Sequence, residues 1–340
     1  MNRLSPALRH GAIAAFAALL AAGLASCMPA RTPSDAGARV SALPAVSHPV
    51  DNPGTPAKIA LGQQLFVDPR LSGSGKMACQ GCHYRQYGWT DAQVLSKRDD
   101  GKMNTRHTPT IYNVGYQTSW YWDGRSATLE AQVLAAWRNQ TGADPAKVAA
   151  LLNTIPGYAS QFEAVFGGPA TPETVVKALA AWLRALVSTD SPWDRYEQGQ
   201  KAAVSKDAIA GYALFMGKGR CSACHTPPTY GNGDFHNVGL EAGKASPDPG
   251  RANVTKNPAD TSAFKTPTLR SVALSAPYFH DGSVPTLEDA VRYMASGGKA
   301  DPNKSPLLTP TGLTDGEIRQ VVAFLKSLTS EERWEAPKLP

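Results

Sequence analysis

Hydrophobic and polar residues divide the chain into an apolar leader, a stretch without periodicity and a long region of short apolar runs. Residues 11–25 carry no charge. Residues 28–50 show neither helical nor strand periodicity and contain several prolines, which is typical of a flexible tether. From residue 51 onwards the clearest apolar runs have helical spacing, so we expect a mainly α protein with little β structure.

Three segments carry the strongest helical patterns. Apolar side chains recur over residues 57–66 and 208–216, and each of these runs precedes a pair of cysteines. A third run, residues 318–325, follows Thr314-Asp315-Gly316-Glu317, which has the form of a capping box. The pattern therefore predicts short helices beside the cysteines and a further helix near residue 320.

The first 27 residues have the organisation of a secretion signal. Arg3 and Arg9 precede the uncharged run, and small residues lead to Cys27 in Leu24-Ala25-Ser26-Cys27. This ending resembles the lipobox of bacterial lipoproteins, in which the cysteine is acylated; an ordinary signal peptide with a chance cysteine is the alternative. Because 15 uncharged residues are too few to span a bilayer, we expect membrane attachment only through lipid on Cys27. Met28 in place of aspartate favours the outer membrane, on its periplasmic side.

The other four cysteines form two identical motifs. Cys79-Gln80-Gly81-Cys82-His83 and Cys221-Ser222-Ala223-Cys224-His225 both match Cys-x-x-Cys-His, in which two thiols bond a haem and the histidine ligates its iron. A zinc site would need four ligands in paired clusters, and a thioredoxin-like pair would need a βαβ context. Export favours haem as well, so the sequence predicts two covalently bound c-type haems and no disulfide.

Charge and composition exclude other classes of function. With 30 glycines and 27 prolines among 340 residues, the chain is below the level of low-complexity proteins. The net charge of +6 would favour nucleic acid binding, but signal cleavage removes Arg3 and Arg9 and the haem propionates offset most of the rest. We therefore expect no nucleic acid partner.

The chain also contains an internal repeat. Thr108-Pro109-Thr110-Ile111, Asp123-Gly124 and Thr128-Leu129-Glu130 recur at the same intervals as Thr266-Pro267-Thr268-Leu269, Asp281-Gly282 and Thr286-Leu287-Glu288. Such matching indicates a duplicated unit. We expect two cytochrome c-like haem domains, residues 51–200 and 201–330, that arose by duplication and are followed by a tail, residues 331–340.

One difference between the repeats concerns iron ligation. Met294 aligns with Ala136, and a methionine thioether can be the second axial ligand of the haem at His225. Filling of the core is the other role open to Met294. Since Ala136 cannot ligate iron, the haem at His83 is expected to have an open or weakly held position where a small oxidant binds.

Two further differences concern chemistry beside the haems. Trp122 aligns with His280; an indole can pass an electron, whereas an imidazole can donate a hydrogen bond to a propionate, and simple packing is the alternative for both. Gln132 aligns with Ala290, and its amide can orient a bound peroxide without donating a proton.

The motifs follow one another in a specific order from about residue 51 to 330. Besides the two cysteine motifs they are Leu61-Gly62-x-x-Leu65-Phe66, Arg106-x-Thr108-Pro109-Thr110, Trp122-Asp123-Gly124-Arg125, Leu129-Glu130-x-Gln132 and Pro277-Tyr278-Phe279-His280-Asp281-Gly282. This order resembles the bacterial dihaem cytochrome c peroxidase and MauG family. The resemblance implies that the haem at His83 is peroxidatic and that the haem at His225 receives electrons and relays them through Trp122. MauG-type members have tyrosine where Met294 stands, which favours the peroxidase branch.

Three features depart from the family pattern. Gly142 stands where the family has a distal glutamate, whose loss leaves Gln132, Gln140, water or Asp144 as substitutes. The family's calcium ligands match His107 and the carbonyls of Ser275 and Pro277, and because imidazole is a poor calcium ligand, calcium occupancy stays open. Residues 96–100 contain no histidine to cap the first iron, so that haem is expected to bind peroxide without prior reduction.

These features predict a peroxidase that reduces hydrogen peroxide to water with electrons from a small cytochrome or copper protein. A MauG-like enzyme that oxidises a partner protein and a dihaem electron carrier remain alternatives. Family members are often dimers, so a homodimer is compatible with the sequence.

Overall fold

The computed structural model describes residues 43–331 and 333–340, and these residues belong to one compact unit. Cys27, the leader and most of the predicted tether lie outside the described residues, so the lipid attachment stays a prediction. Within the described ranges, no helix is both long enough and apolar enough to cross a membrane.

The described residues are mainly helical, as the sequence predicts. The α-helices are α1 (Pro56–Val67), α2 (Leu129–Asn139), α3 (Pro145–Asn153), α4 (Pro156–Phe166), α5 (Pro172–Ala185), α6 (Pro192–Glu197), α7 (Lys206–Met216), α8 (Ala252–Thr255), α9 (Leu287–Ala295) and α10 (Asp315–Ser327). The strands β1 (Phe235–His236) and β2 (Phe264–Lys265) pair antiparallel, with Phe235 opposite Lys265. The three strongest patterns correspond to α1, α7 and α10.

Local capping explains where these helices begin. Thr314 and Glu317 form the predicted capping box at α10, in which each side chain bonds the backbone N–H of the other residue. Proline occupies the first turn of α1, where its missing N–H costs nothing, and the Thr55 hydroxyl accepts the N–H of Lys58 at 3.3 Å.

Buried apolar residues form two clusters. The first is built largely from α1, α2 and α5 and includes Leu65 and Trp182. The second is built from α6, α7 and α10 and includes Phe215 and Phe324. Gly62 of α1 and Gly211 of α7 allow the helix crossing in each cluster, because an added Cβ would lie 2.0 Å from the Ala178 carbonyl oxygen and 1.9 Å from the Gln320 carbonyl oxygen, respectively.

Local backbone features also recur in the two repeated segments. Isolated bridges join Trp120 to Ser126 and Tyr278 to Val284, which are matching positions of the repeat. The helices α2 and α9 each follow a threonine whose hydroxyl accepts the N–H three residues later.

Two backbone hydrogen bonds connect the repeated segments to each other. The N–H of His107 donates to the His280 carbonyl oxygen at 2.7 Å, and the N–H of Lys265 donates to the Trp122 carbonyl oxygen at 2.8 Å. His107 and Lys265 are matching positions of the repeat, as are Trp122 and His280. Each segment therefore donates one main-chain N–H to a carbonyl oxygen of the other and accepts one at the matching position.

Candidate functional site

The first cysteine motif opens onto a cavity that Cys79, Cys82 and His83 line together. Cys79–Gly81 forms a 3-10 turn, and the Nδ1 of His83 lies 2.8 Å from the carbonyl oxygen of Trp89. This acceptor places the ring proton on Nδ1 and leaves the Nε2 lone pair for a metal. Burial lowers the pKa of His83, which favours the neutral imidazole that ligates iron.

The second motif repeats this arrangement. Cys221, Cys224 and His225 line a separate cavity, and the Nδ1 of His225 lies 3.0 Å from the carbonyl oxygen of Tyr230. Burial lowers the pKa of His225 to about 4, so its imidazole is neutral across the physiological range. In both histidines a backbone carbonyl five or six residues later thus pairs with Nδ1 and leaves Nε2 for a metal.

The four thiols do not have the character of nucleophiles. Burial raises the pKa of Cys79 to about 12 and the pKa values of Cys82 and Cys221 to about 11. Burial also raises the pKa of Cys224. Redox-active and catalytic cysteines need lowered pKa values, so these pairs suit covalent attachment of a cofactor and not a thioredoxin-like reaction.

The structure places Met294 and Ala136 as their predicted roles require. Met294, on α9, lines the cavity that contains His225, whereas Ala136, on α2, lines the cavity that contains His83. A sulfur that can ligate iron is therefore available to the second cavity at the position where the first cavity has only a methyl group. Ligation by Met294 stays a prediction.

Trp122 lies between the two cavities and lines both of them. Its indole N–H donates to the His107 carbonyl oxygen at 2.8 Å, which fixes the ring. Lys265 and Pro267 also line both cavities. Among the described residues these three are common to both linings, and Trp122 is the one with an aromatic ring suited to electron transfer.

The wall of the first cavity contains amides but no carboxylate among the residues that the structure describes. Gln132 and Gln140 both line it, and the Oε1 of Gln140 is buried without a hydrogen-bond partner in the described structure. Asp144 does not replace the missing glutamate, because it caps α3 by accepting the N–H of Ala146 at 3.1 Å and is exposed. Asn104 and Gln117 also line this cavity, so its wall offers four amides that can orient a small ligand.

The backbone at Gly142 explains why glycine occupies this position. Gly142 has φ +62°, a left-handed conformation in which a side chain is strained, and its carbonyl packs against Gly73. The neighbouring backbone is fixed as well, because the N–H of Asp99 donates to the Gln140 carbonyl oxygen at 2.9 Å. A glutamate at residue 142 would need a different backbone.

Residues 96–100 do not reach the first cavity. The hydroxyl of Ser96 bonds that of Thr108, and the carboxylate of Asp99 accepts the N–H of Ser74 at 2.9 Å. None of these five residues lines the first cavity. The absence of an iron ligand on this loop stays a prediction from its sequence.

His280 makes a different contact from the one predicted for it. Its Nε2 lies 2.7 Å from the Oε1 of Glu241, and its ring stacks on Phe264 with a centroid separation of 3.5 Å. This nitrogen is therefore paired with a carboxylate, a contact that sequence reasoning missed because Glu241 lies outside the repeat. His280 also lines the second cavity, and its hydrogen bond to a propionate stays a prediction.

The carboxylates around His280 form an ion-pair cluster. Glu241, His280 and Asp281 are the one group of potential metal ligands that converge within the described residues. Lys244 Nζ lies 2.7 Å from Glu241 Oε1 and 2.8 Å from Asp281 Oδ2. Because the ammonium already pairs with both carboxylates and occupies the space between them, the cluster does not favour a metal ion.

The residues matched to the calcium ligands do not supply an oxygen donor set. His107 Nδ1 lies 2.8 Å from the Gln93 carbonyl oxygen, and an imidazole is a poor ligand for calcium, which takes six to eight oxygens. Only the backbone carbonyls of Ser275 and Pro277 remain. These residues alone do not fit the ion, so we derive no step through calcium.

Several charged groups that the sequence did not single out line or support the first cavity. Arg106 lines it, donates to Asp248 at 2.7 and 2.8 Å and pairs with Asp123 at 2.7 Å. Burial lowers the pKa of Lys265 to about 7, and its ammonium donates to Gln117 and to the Ser119 carbonyl oxygen. The repeat could have drawn attention to Lys265, because this residue matches His107, which the sequence analysis did consider.

Both cavities fit a covalently attached haem. In the second cavity the Nδ1 of His236 lies 3.1 Å from the Ser305 hydroxyl, whereas its Nε2 is buried without a partner in the described structure. Gln140 Oε1 is the corresponding unpaired atom in the first cavity. Because buried polar atoms are almost always paired, both indicate a bound group with polar atoms. His236 was one of two histidines after the leader to which the sequence assigned no role.

Comparison with known proteins agrees with this geometry. The model of the family described as di-haem cytochrome c peroxidase matches residues 56–202, and a model described as RoxA-like, cytochrome c-like matches residues 263–293. The cytochrome-c peroxidase IdrP1 of Denitromonas iodatirespirans is 38% identical over 333 residues, which cover 88% of this chain and 89% of that protein.

Two further proteins extend the match to MauG. The methylamine utilization protein MauG of Methylorubrum extorquens is 39% identical over 295 residues, with 84% of this chain and 82% of that protein covered. The crystal structure of a MauG-like protein associated with microbial copper homeostasis superposes with a TM-score of 0.78 at 32% identity, covering 85% of this chain and 94% of that chain. By these similarities the chain belongs to the di-haem cytochrome c peroxidase and MauG family of oxidoreductases.

Proposed function

We propose that the protein is a dihaem c-type peroxidase that reduces hydrogen peroxide to water with electrons from a small donor, a cytochrome or a copper protein. Electrons enter at the second cavity, beside His225 and Met294, and pass by Trp122 to the first cavity, beside His83. The observation that carries this proposal is that Trp122 lines both cavities, while Met294 lines the second at the repeat position where Ala136 lines the first.

The bound haems would supply the redox chemistry, and His83 and His225 would hold them through Nε2 while the cysteine pairs attach them. The chain's own groups then divide the remaining tasks. Gln132 and Gln140 orient peroxide in the first cavity by hydrogen bonds, without acting as acids. Overall, peroxide takes two electrons and two protons and gives two water molecules, and since no described carboxylate lines this cavity, we expect the protons to come from water.

The two cavities are most simply interpreted as products of a duplication. The recurring bridges, the matching helix starts and the reciprocal backbone bonds support residues 51–200 and 201–330 as two related haem domains. On this interpretation, the first domain became the site of peroxide reduction and the second the site of electron entry. A periplasmic location at the outer membrane, through lipid on Cys27, completes the proposal and rests on the leader sequence alone.

The proposal is tested by a redox titration of the holoprotein with optical spectra, followed by peroxide and reduced donor. We expect one haem of high potential with a sulfur ligand, one haem that binds peroxide, and rapid peroxide-dependent oxidation of the donor. Two haems with strong protein ligands on both sides in every redox state would instead show a simple electron carrier.

A MauG-like reaction is the second candidate, because the first cavity has no described carboxylate to help split the peroxide bond. The same experiment separates it from the first. The MauG-like reaction predicts that the oxidised state formed by peroxide persists and that a small donor is not turned over. Such a result would favour oxidation of a partner protein.

A further inference from the structure

Two tryptophans, Trp89 and Trp334, extend from His83 of the first cavity to the protein surface. The carbonyl oxygen of Trp89 accepts the Nδ1–H of His83 at 2.8 Å, and the Trp89 ring is fully buried. The ring centroid of Trp89 lies 5.2 Å from that of Trp334, in an edge-to-face arrangement. Trp334 is half-buried, so the pair connects the His83 ligand with the protein surface.

The chain after α10 places Trp334 there. Residues 333–340 cross α1, where Gln64 Nε2 donates to the Lys338 carbonyl oxygen at 3.1 Å and Arg70 Nη2 donates to Pro340 O at 3.2 Å. Trp334 packs against the first cluster, although the helix that precedes it belongs to the second. The segment that carries Trp334 is thus held against the first cluster by hydrogen bonds of the residues that follow it.

The indole nitrogens indicate that this pair does more than fill space. The Nε1 atoms of Trp89 and Trp334 are both buried and have no hydrogen-bond partner within the described residues. A packing position would be served by phenylalanine without an unpaired buried donor. By contrast, Trp137 donates its N–H to the Leu71 carbonyl oxygen at 2.7 Å and Trp193 donates to Glu197 at 2.8 Å.

Indole is among the most easily oxidised side chains, and two indole rings in contact can exchange an electron. We propose that Trp89 and Trp334 form a second electron route, by which oxidising equivalents leave the first cavity when no donor is present, and that Trp334 is the residue they modify. The proposal rests on the proposed peroxide chemistry. It differs from the Trp122 route in direction, because Trp334 leads to solvent and not to the second cavity.

The overall reaction balances without a further reagent. Peroxide accepts two electrons and two protons and yields two water molecules. The indole of Trp334 loses two electrons and two protons and gains one oxygen atom from water as a hydroxyl group. The sum converts one peroxide and one tryptophan into one water and one hydroxytryptophan.

The test uses the holoprotein with its haems loaded, treated with stoichiometric peroxide and no donor, followed by peptide mass spectrometry. We expect one added oxygen atom on the peptide containing Trp334 and none on the peptide containing Trp193, which lies in the other cluster. Met103 is 54% exposed and reports oxidation by free peroxide in the same digest. Addition of reduced donor before peroxide should abolish the Trp334 product.

Two variants complete the test. W334F should lose the product and, by electron paramagnetic resonance after rapid freezing, the indole radical signal, whereas W334Y, which keeps an oxidisable ring, should give a tyrosyl signal. Wild-type protein that turns over donor but leaves Trp334 unmodified without donor overturns the route and leaves the peroxidase proposal intact. Protein that consumes no peroxide overturns both.

Discussion

The backbone N–H of Lys265 donates to the carbonyl oxygen of Trp122 at 2.8 Å, and the side chains of both residues line both cavities. The Trp122 ring is therefore fixed by its own indole bond to His107 and by the strand that carries Lys265. An aromatic ring held in this way can transfer an electron without first moving.

Replacing Trp122 with phenylalanine should slow donor oxidation by peroxide while both haem spectra stay unchanged. We expect a decrease on the order of tenfold or more, which corresponds to about 1.4 kcal/mol in activation free energy. Stopped-flow measurement of electron transfer between the two haems checks it. W193F is the control, because it makes the same change at a tryptophan that lines neither cavity. Equal rates for wild type and W122F would show that the indole is not the route.

Replacing Lys265 with methionine should lower the reduction potentials of both haems. Because burial lowers the pKa of Lys265 to about 7, its amine is charged below pH 7, where the positive charge beside both cavities stabilises the reduced form of each haem. Potentiometric titration of the two haems gives the measurement. K256M, a change of an exposed lysine, should leave both potentials unchanged. A shift confined to one haem would mean that Lys265 acts on that cavity alone.

Replacing Met294 with alanine should remove the predicted sulfur ligand. We expect the potential of the second haem to fall by on the order of 0.1 V, within the roughly 0.8 V range that axial ligands span. The reciprocal change A136M should give the first haem a sulfur ligand and block peroxide binding. Redox titration with optical spectra checks both variants. M216A, which changes a methionine 43% exposed, serves as the control, and an M294A spectrum identical to wild type would contradict ligation.

Acid should destabilise the protein partly through His107. Burial lowers its pKa below the ordinary value of 6.5, so the folded state resists protonation that the unfolded state accepts. His107 therefore contributes its full stabilisation above pH 6.5. Between pH 6.5 and the lowered pKa, the free energy of unfolding falls by up to about 1.4 kcal/mol per pH unit, because the unfolded state binds one proton more than the folded state. Chemical denaturation of the holoprotein at several pH values measures this dependence. H107N should flatten it between pH 6.5 and the lowered pKa, and an unchanged slope would exclude His107 as its source.

Replacing Gly62 with alanine should disturb the crossing of α1 and α5. The added Cβ would lie 2.0 Å from the Ala178 carbonyl oxygen, so the helices must separate, at a cost of about 1–3 kcal/mol. The free energy of unfolding in denaturant gives the measurement. At Gly168 an added Cβ would meet no atom within 4 Å, which makes G168A the control. Equal stability of both variants would mean that α1 relaxes without loss of packing.

The sequence predicted the helical class, the helices beside each cysteine pair and the family, because these depend on local spacing and short motifs. It also predicted that Trp122, Gln132, Met294 and both haem-binding histidines would lie in two sites, since the repeat made corresponding positions comparable. The structure brings these residues to two cavities, whereas their chemical roles stay predictions.

Contacts between distant segments were not predictable in the same way. The pairing of His280 with Glu241 joins a repeated position to a residue outside the repeat. Similarly, the packing of Trp334 against Trp89 depends on how the chain after α10 returns to α1. Such contacts depend on the tertiary arrangement, which the spacing of residues along the sequence does not predict.

The two reciprocal bonds between the repeated segments, from His107 to His280 and from Lys265 to Trp122, are made entirely by main-chain atoms. Any residue except proline at residues 107 and 265 can donate them, and any residue at all at residues 122 and 280 can accept them. Side chains at these four positions are therefore free to change without separating the two segments. One half can therefore have an indole where the other has an imidazole. The two halves can differ in chemistry without losing the hydrogen bonds that join them.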